Sequence, residues 1–345
     1  MDWKRSLSLR QDEAVGLDIG SFAVKMVRLR RDNGAYAVTA AGLAEIEPDG
    51  QGGDRTEANT SKAVRRCLQS AGIHAKLAVC SIYGPEVAVR DFNFPSLPPE
   101  EVESAVMLEA GQVCPFDIAD SAVDYQVMSA QDGSIRGMFA AATNTLVKKK
   151  VQLAKKASVD CILMDVDGLA LLNCFREHGA RQPGQAAAVL NVGYSYTTLA
   201  IMGDNELPFI RDIAYAGDYI VKQIAAQTGQ PPETVRAILS GDSDAVGFDV
   251  SDSLDQACQR LSTDVNETLR FYAAQEKLSI ADRIYVCGGF ALVREFVEVL
   301  NRRLAVKAVL WNPFDKMSCS GLPKDIWQNQ GPAMVVATGL AMRSI

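Results

Sequence analysis

One motif occurs twice in this chain and limits the folds open to it. In residues 14–29, apolar residues alternate with glycines and with a single carboxylate, Asp18, as in a strand that has one nearly bare face. Gly20 and Ser21 interrupt the alternation, and a second strand is predicted over about residues 24–29. The unit is therefore predicted to be a β-hairpin whose tight turn presents backbone N–H groups to a phosphate.

The same pattern returns about 175 residues later, in residues 188–199. An apolar strand again carries one polar residue, Asn191, two positions before a glycine, Gly193, and the turn again contains a serine, Ser195. Either hairpin alone would be typical of an ordinary sheet edge with a solvated polar side chain. Because the pattern occurs in both halves of the chain, it predicts a duplicated domain with a cleft between the two copies.

A third segment, residues 284–291, is predicted to be a buried strand that ends in Gly288 and Gly289. The two glycines are expected to open a helix whose apolar stripe runs from Leu292 to Leu304. Because glycine has no side chain, such a junction lets a ligand approach the backbone closely.

In this order and spacing, the two hairpins and the Gly-Gly turn resemble the actin/Hsp70/sugar-kinase superfamily of nucleotide-binding proteins. Within it, the segment from Phe94 to Val127 resembles the FtsA-like PilM family of type IV pilus assembly proteins, and the likeness extends from about Ala14 to Met342. The resemblance implies an α/β protein with the actin/Hsp70-like two-lobe fold, built from duplicated ribonuclease-H-like domains. It also implies an inserted small α+β subdomain of SHS2-like type and a separate helical subdomain.

The resemblance divides the chain into seven segments that alternate between the lobes. They are residues 1–85, the first lobe with hairpin 1; 86–161, the inserted subdomain; 162–182, the first lobe continued; 183–228, the second lobe with hairpin 2; 229–278, the helical subdomain; 279–330, the second lobe with the adenosine turn; and 331–345, a helix returning to the first lobe. A nucleotide is expected to bind between the lobes.

Composition excludes several other classes of function. The net charge of -7 gives no electrostatic footprint for nucleic acid, so no nucleic-acid partner is expected. The two histidines, His74 and His178, are too few for a histidine-based metal site or a catalytic triad. The eight cysteines are scattered without a Cys-x-x-Cys pair, which indicates reduced, buried thiols.

The sequence has no run of about 20 apolar residues that would span a membrane, and its N-terminus lacks the apolar core of a signal peptide. A cytoplasmic protein is therefore expected. A helix predicted over residues 144–157 carries five lysines: Lys148, Lys149, Lys150, Lys155 and Lys156. We interpret them as a solvated helix face, with an acidic partner surface as the alternative.

The superfamily resemblance also implies roles for particular residues. Asp18 matches the aspartate that orients the water shell of Mg2+, and Ser21 and Lys25 match contacts to the phosphates of ATP. The remaining expected nucleotide contacts are Gly20, Phe22, Asn191, Gly193, Tyr194, Ser195 and Gly217 around the phosphates, and Gly288, Gly289 and the helix start at Ala291 around the adenosine. Lys222 is a weaker candidate, because a lysine one turn into a helix is usually just solvated.

Two positions depart from the family pattern. Asn191 stands where the family usually has aspartate, and the loss of a negative charge should weaken Mg2+ binding. Asp167 stands where relatives tend to have a glutamate that positions the attacking water, and it is one methylene shorter. We therefore expect ATP binding with slow or absent hydrolysis, and Asp167 is the one candidate catalytic residue.

The resemblance further implies a partner and a location. The protein would dock the N-terminal cytoplasmic peptide of PilN and link the inner-membrane alignment complex to the cytoplasmic motor ATPases of the pilus. It would then be cytoplasmic and held at the inner membrane through its partners. Three alternatives remain open: a self-assembling FtsA-like protein, a slow ATPase or sugar-kinase-like enzyme, and a cytoplasmic domain of a GspL-like secretion protein.

Overall fold

The structure is a computed structural model that covers most of the chain. It describes residues 14–32, 34–49, 56–131, 133–180, 185–203, 206–241, 249–276 and 281–344. The predicted boundary between residues 182 and 183 lies outside the described residues.

The first half of the chain forms a five-stranded mixed sheet. Its strands, numbered along the chain, are β1 (Val15–Ile19), β2 (Ala23–Asp32), β3 (Ala35–Glu45), β4 (Leu77–Ile82) and β8 (Asp160–Val166). Their order is β3-β2-β1-β4-β8. The pairs β1–β2 and β2–β3 are antiparallel, whereas β1–β4 and β4–β8 are parallel. The predicted first hairpin is thus the centre and one flank of this sheet.

The second half forms a sheet of the same design. Its strands are β9 (Ala187–Val192), β10 (Thr197–Met202), β11 (Pro208–Ile213), β12 (Arg283–Cys287) and β13 (Lys307–Leu310). Their order, β11-β10-β9-β12-β13, repeats that of the first sheet, and so does the succession of antiparallel and parallel pairs. The two sheets confirm the duplication that the repeated motif predicts.

Two helices lie between the sheets and form a core common to both. They are α4 (Asp167–His178) and α10 (Val335–Ala341), and the apolar cluster around them includes residues of both sheets. The packing requires glycine at two points. A Cβ on Gly16 would lie 1.9 Å from the Ala337 carbonyl oxygen, and one on Gly339 would lie 1.9 Å from the Ala170 carbonyl oxygen. Close packing of these backbones joins the two halves at the base of the cleft.

Two further helices cover the outer face of the first sheet. These are α1 (Glu57–Ser70) and α3 (Asn144–Lys156). Ala63, Val64 and Cys67 of α1 and Leu153 and Ala154 of α3 pack against the sheet in one cluster. Each helix begins at a threonine whose hydroxyl accepts a backbone N–H, which is a favourable N-cap.

The inserted segment has its own sheet and core. Strands β5 (Val87–Pro95), β6 (Ser121–Gln131) and β7 (Ser134–Thr143) pair in the order β5-β7-β6, and helix α2 (Pro99–Val113) packs on them. Phe139 and Val106 are fully buried between the helix and the sheet. Helix α2 has proline at its first position and ends before Pro115, where a proline prevents its continuation.

Helices form the remaining layer, over the second sheet. They are α5 (Gly217–Thr228), α6 (Pro232–Ser240), α7 (Ser251–Ala257), α8 (Gln259–Glu276) and α9 (Phe296–Arg303). The predicted interruption by residues 241–244 falls at the end of α6, at Gly241, and its other three residues lie outside the described part. Buried residues of α5, α7 and α8 share one core with the second sheet.

The prediction that a helix opens directly at the Gly-Gly turn is wrong. Residues Gly289–Leu292 form a single 3-10 turn, and α9 begins only at Phe296. The ring of Phe290 packs edge-on against that of Phe296, with 5.0 Å between the ring centroids, and Ala291 is buried. Phe296 is fully buried, whereas Phe290 is partly buried and also lines the cleft, so this contact holds the turn between the core and the cleft. Leu292, predicted on the buried stripe, is therefore 39% exposed.

Candidate functional site

A cleft of about 710 Å³ separates the two halves of the molecule. The C-terminal ends of the parallel strands β1, β9 and β12 open into it, which is where α/β sheets usually bind ligands. Most of the predicted site residues line this cleft: Asp18, Gly20, Ser21, Phe22, Lys25, Asp167, Asn191, Gly193, Tyr194, Ser195, Gly217, Gly288 and Gly289. Lys222 and Ala291 do not line it.

Asp18 and Lys25 form a buried ion pair at the first hairpin. The β1–β2 register places them directly opposite each other, and Lys25 Nζ lies 3.0 Å from Asp18 Oδ2. Asp18 is only 5% exposed, so the pair is largely shielded from water. The arrangement holds one cation and one carboxylate at the turn that was predicted to bind phosphate, and an incoming Mg2+ would share Asp18 with Lys25.

A second lysine, Lys150, reaches this hairpin from behind. The interpretation of all five lysines of α3 as a solvated face is therefore wrong for this residue. Lys150 points inward, and its Nζ donates to the Ile19 carbonyl oxygen at 2.6 Å and lies 4.9 Å from the Tyr83 ring centroid. Burial lowers the pKa of Lys150. The negative charges of Asp167 and Asp18 act in the opposite direction and offset part of this shift. This lysine therefore supports the hairpin, whereas the other four lysines of α3 are exposed.

Asp167, the first residue of α4, lies beneath the cleft with one unpaired oxygen. It is 6% exposed, and its Oδ1 has no hydrogen-bond partner among the described residues. Burial, and next the negative charge of Asp18, raise the pKa of Asp167 to about 8. Burial thus favours the protonated carboxyl group, which would lose its proton more readily if a cation entered the cleft.

The second hairpin carries no formal charge at the matching position. Asn191 lines the cleft, and its Oδ1 accepts from the Cys287 thiol at 4.0 Å. Gly193 and the start of α5 are joined by the Gly217 N–H, which donates to the Gly193 carbonyl oxygen at 3.1 Å. This half of the site therefore offers neutral amide and hydroxyl groups.

The close packing around position 288 leaves no room for a side chain, whereas position 289 faces open space. Gly288 has a φ of +94°, and a Cβ there would lie 2.5 Å from Asn191 Oδ1 and from the Val192 carbonyl oxygen. A Cβ on Gly289 would meet no atom within 4 Å. The strand end at Gly288 thus lies against the second hairpin, and Gly289 presents its backbone to the cleft.

The two hairpins touch across the cleft. The Ser195 hydroxyl donates to the Ser21 hydroxyl oxygen at 2.9 Å. The rings of Phe22 and Tyr194 pack beside this contact, with 5.1 Å between their centroids. The two serines predicted to contact phosphate are therefore paired with each other, and a phosphate bound there would replace this contact with its own hydrogen bonds.

Helix α6 supplies residues that the sequence interpretation missed. Glu233, Arg236 and Ser240 lie on its cleft-facing side, and all three line the cleft. Arg236 Nη2 donates to the Tyr194 hydroxyl at 3.2 Å and to Asp218 Oδ1 at 3.3 Å, while its buried Nε has no partner among the described residues. The spacing of these polar residues at i, i+3 and i+7 was the available signal.

Lys222 meets this group only from the solvent side. It forms an ion pair with Asp218 at 2.7 Å, and its side chain is 62% exposed. Arg236, not Lys222, is thus the cation that helix packing brings to the second half of the cleft.

The base of the inserted subdomain contacts the second lobe. Asp212 of β11 accepts from the Gly84 N–H at 2.7 Å and from the Thr198 hydroxyl at 2.6 Å. Beside it, the rings of Tyr83 and Tyr196 meet edge to face at 5.8 Å. These contacts connect the start of the insertion, just after β4, to the second hairpin.

The described residues fit a nucleotide with a phosphate-held cation better than a metal held by protein alone. They contain no group of three or more His, Cys, Asp or Glu side chains placed to hold a metal ion. Mg2+ usually keeps several waters and takes few protein carboxylates, so Asp18 together with phosphate oxygens would suffice.

Among the helices described, none is both long and apolar enough to cross a membrane.

Comparisons with known proteins agree with this architecture. The family model described as type IV pilus assembly protein PilM matches residues 16–345. The chain is similar to a solved structure described as a PilM-PilN type IV pilus biogenesis complex, at 24% identity and a TM-score of 0.82, covering 96% of this chain and 98% of the other.

Two more distant structures share the fold. The ethanolamine utilization protein EutJ from Carboxydothermus hydrogenoformans is 13% identical with a TM-score of 0.54, covering 99% of each chain. A diol dehydratase-reactivating factor in nucleotide-free form is 11% identical with a TM-score of 0.54, covering 96% of this chain and 99% of the other. The predicted actin-like two-lobe fold is confirmed.

Proposed function

Because the chain belongs to the PilM family of type IV pilus assembly proteins, we propose that it is a nucleotide-binding scaffold of pilus biogenesis. The observation that carries the proposal is the cleft, where two matching hairpins face each other and the Gly288 turn closes the third side. ATP is the proposed ligand, and Mg2+ would bind at its phosphates near Asp18.

The protein's own groups suggest how the nucleotide would be held. Lys25 supplies positive charge to the phosphates, and the backbone N–H groups of both turns supply neutral hydrogen bonds. Gly288 and Gly289 let the nucleoside approach the backbone, while Arg236 and Glu233 of α6 offer polar contacts from above.

Turnover is proposed to be slow. Burial, and next the charge of Asp18, favour the protonated form of Asp167, so less of the carboxylate that would activate water is present at neutral pH. Asn191 contributes no charge to the binding of a divalent cation. Both features favour a nucleotide that stabilises a conformation over one that is consumed rapidly.

The partner is proposed to be a PilN-like protein, through its N-terminal cytoplasmic peptide. The similar solved structure is described as a complex with PilN, and the inserted subdomain is the proposed contribution to the peptide groove. Helix α2 of that subdomain exposes Met107 and Leu108, the latter at 67%. Docking would hold the protein at the inner membrane from the cytoplasmic side and link the alignment complex to the motor ATPases.

The contact between Asp212 and Gly84 offers a route by which the two sites communicate. It joins Gly84, which immediately precedes the insertion, to the second hairpin, so closure of the cleft on a nucleotide would alter the position of the inserted subdomain. Peptide affinity is therefore proposed to depend on the bound nucleotide.

Calorimetric titration of the purified protein with ATP and Mg2+ tests the proposal, alone and with the partner's N-terminal peptide. Asp18→Ala should abolish Mg2+-dependent ATP binding and leave peptide binding measurable. Asp252→Ala, which changes an exposed aspartate outside the cleft, is the matched control. Failure of the wild type to bind any nucleotide would contradict the nucleotide site, and unchanged binding by Asp18→Ala would contradict the assigned role of Asp18.

A further inference from the structure

The outer helices of the first lobe carry a concentrated positive charge that the proposed nucleotide site does not use. Helix α3 has five lysines and no acidic residue, and Glu57 is the one acidic residue of α1. We call the exposed side chains on these two helices that have no ion-pair partner among the described residues the basic face: Lys62, Arg65, Lys148, Lys149 and Lys155.

The basic face is one continuous surface. Helices α1 and α3 pack side by side on the same face of the first sheet. They are tied together by the ion pair of Lys156 with Glu57 at 2.7 Å and by the Arg65 guanidinium, which donates to the Lys156 carbonyl oxygen. Because the sheet's other face is covered by α4 and α10, the basic face points away from the second lobe.

The charge is unbalanced in a protein that is acidic as a whole. The entire chain has a net charge of -7, so the remainder of the molecule carries the excess of negative charge. Two acidic groups beside the basic face are already engaged, since Glu57 pairs with Lys156 and Glu47 pairs with Arg66. The protein is therefore electrically polarised, and an anionic surface would attract this side and repel the rest.

The composition of the basic face favours a lipid surface over a protein or nucleic-acid partner. It is dominated by lysine, a strongly hydrated point charge, and none of the large hydrophobic side chains exposed in the described residues lies on α1 or α3. Protein interfaces usually depend on buried aromatic or apolar anchors, and single-stranded nucleic acid is usually held by aromatic stacking. Diffuse attraction to anionic headgroups needs neither.

We propose that the basic face docks directly on a membrane leaflet rich in anionic phospholipid headgroups. This contact would be additional to the membrane association proposed through a partner peptide, and it does not depend on the nucleotide. It would set the orientation of the protein, with the outer helices of the first lobe against the bilayer. Lysine near an anionic leaflet contributes about 1 kcal/mol, or roughly a fivefold change in partitioning, so several lysines give measurable binding.

Vesicle flotation of the full chain tests this proposal without any partner protein. Vesicles of phosphatidylcholine with about one-third phosphatidylglycerol are compared with pure phosphatidylcholine. The wild type is expected to float with the anionic vesicles only, and raising the salt from about 0.1 M to 1 M should release it, because the screening length falls from about 10 Å to 3 Å.

Two charge-matched triple variants locate the contact. Lys62→Glu, Lys148→Glu and Lys149→Glu together change the basic face, whereas Arg270→Glu, Lys307→Glu and Lys324→Glu make the same change of net charge at exposed positions elsewhere. The first variant should lose flotation and the second should retain most of it. The milder Lys→Gln version of the first should weaken partitioning about 100-fold, and circular dichroism checks that each variant is folded.

Three results would overturn the proposal. The wild type floats with neither vesicle type, or the two triple variants bind equally: equal loss would mean that net charge governs binding, and equal retention that residues unchanged in both, such as 1–13, govern it. Tighter binding of the basic face to polyglutamate or to an oligonucleotide than to anionic vesicles, measured in parallel, would assign it to another class of partner.

Discussion

The two hairpins that face each other in the cleft have the same backbone and different chemistry. In the first, Asp18 and Lys25 form a buried ion pair with Lys150 behind the turn. In the second, the matching position is Asn191, and the cation that contacts the hairpin, Arg236, comes from another element. The duplicated fold has thus kept its strand order in both halves while the charges needed for phosphate and metal lie mainly in one.

This difference teaches that sheet topology and site chemistry are separable. The same strand order brings both turns to the cleft, because the ends of the parallel strands meet there. Which turn carries charge depends on single side chains that do not affect the pairing of the strands. Substitutions in one half of the site, compared with substitutions in the other half, test this separation.

Lys25→Met should have the largest effect. It leaves Asp18 buried without its partner, which we expect to cost about 3 to 5 kcal/mol of unfolding free energy, whereas Asn191→Ala should cost about 1 kcal/mol. Urea denaturation measures both. Adding Asp18→Asn to Lys25→Met removes the lone charge and should recover most of the loss; if it recovers none, the ion pair is not the reason for the instability.

Asp167 should make the free energy of unfolding depend on pH. Its pKa is about 8 in the folded protein and about 3.9 when unfolded, so the folded state holds the extra proton between these values. Its contribution to the unfolding free energy should therefore fall as pH rises from about 4 to 8, by at most about 1.4 kcal/mol per pH unit.

Asp167→Asn, which cannot ionise, checks this dependence. Its unfolding free energy, measured by denaturant titration from pH 5 to 8, should exceed that of the wild type by a margin that grows with pH. Asp165, whose pKa burial also raises, is present in both proteins and cancels in the difference, whereas Asp212 and Lys150 interact electrostatically with Asp167 and contribute to the margin. A margin that is constant with pH would show that Asp167 is already ionised.

Gly288→Ala and Gly289→Ala should separate two adjacent glycines of the second half. Gly288 combines a φ of +94° with backbone atoms 2.5 Å from a new Cβ, so alanine should cost about 1 to 3 kcal/mol and weaken nucleotide binding. Gly289 has open space and should tolerate alanine with little change in stability. Thermal denaturation of the pair measures the difference, and equal melting temperatures would contradict the close approach seen at Gly288.

Asn191→Asp should make the second hairpin more like the first and have the smallest effect. The added carboxylate should raise the apparent affinity for Mg2+ in the presence of ATP by roughly tenfold, because hydrogen bonds to charged groups gain about 1.5 to 3 kcal/mol. Titration of Mg2+ at fixed ATP measures it, with Asn191→Gln as the neutral control. An unchanged affinity would mean that the second hairpin lies too far from the cation to contribute.

Much of the fold was predictable because it follows from short-range patterns. The alternation around Asp18 and Asn191 predicts both hairpins, and the family resemblance predicts two lobes, an insertion and a helical layer. The PilM resemblance is confirmed over residues 16–345. The helix expected at Gly288–Gly289 was wrong because an apolar stripe at helical spacing does not reveal that Phe290 folds back onto Phe296.

The site was only partly predictable for a related reason. Thirteen of the predicted residues line one cleft, because they belong to motifs that occur at strand ends. Lys150 was assigned to the solvated face because its neighbours in sequence are exposed lysines. Arg236 was not considered because its spacing with Glu233 and Ser240 does not show which helix face meets the cleft. The assigned roles in binding ATP and Mg2+ stay predictions.

The sequence by itself determined the repeated hairpins, the glycines that permit close backbone approach and the charge of each turn, because these depend on residues that are neighbours along the chain. Only the tertiary structure decided the partners of those groups. Packing of α3 against the first sheet buries Lys150 behind Ile19, and packing of α6 over the second brings Arg236 to Tyr194. Such contacts join residues about 40 to 130 positions apart. A local sequence pattern does not determine which distant groups come into contact.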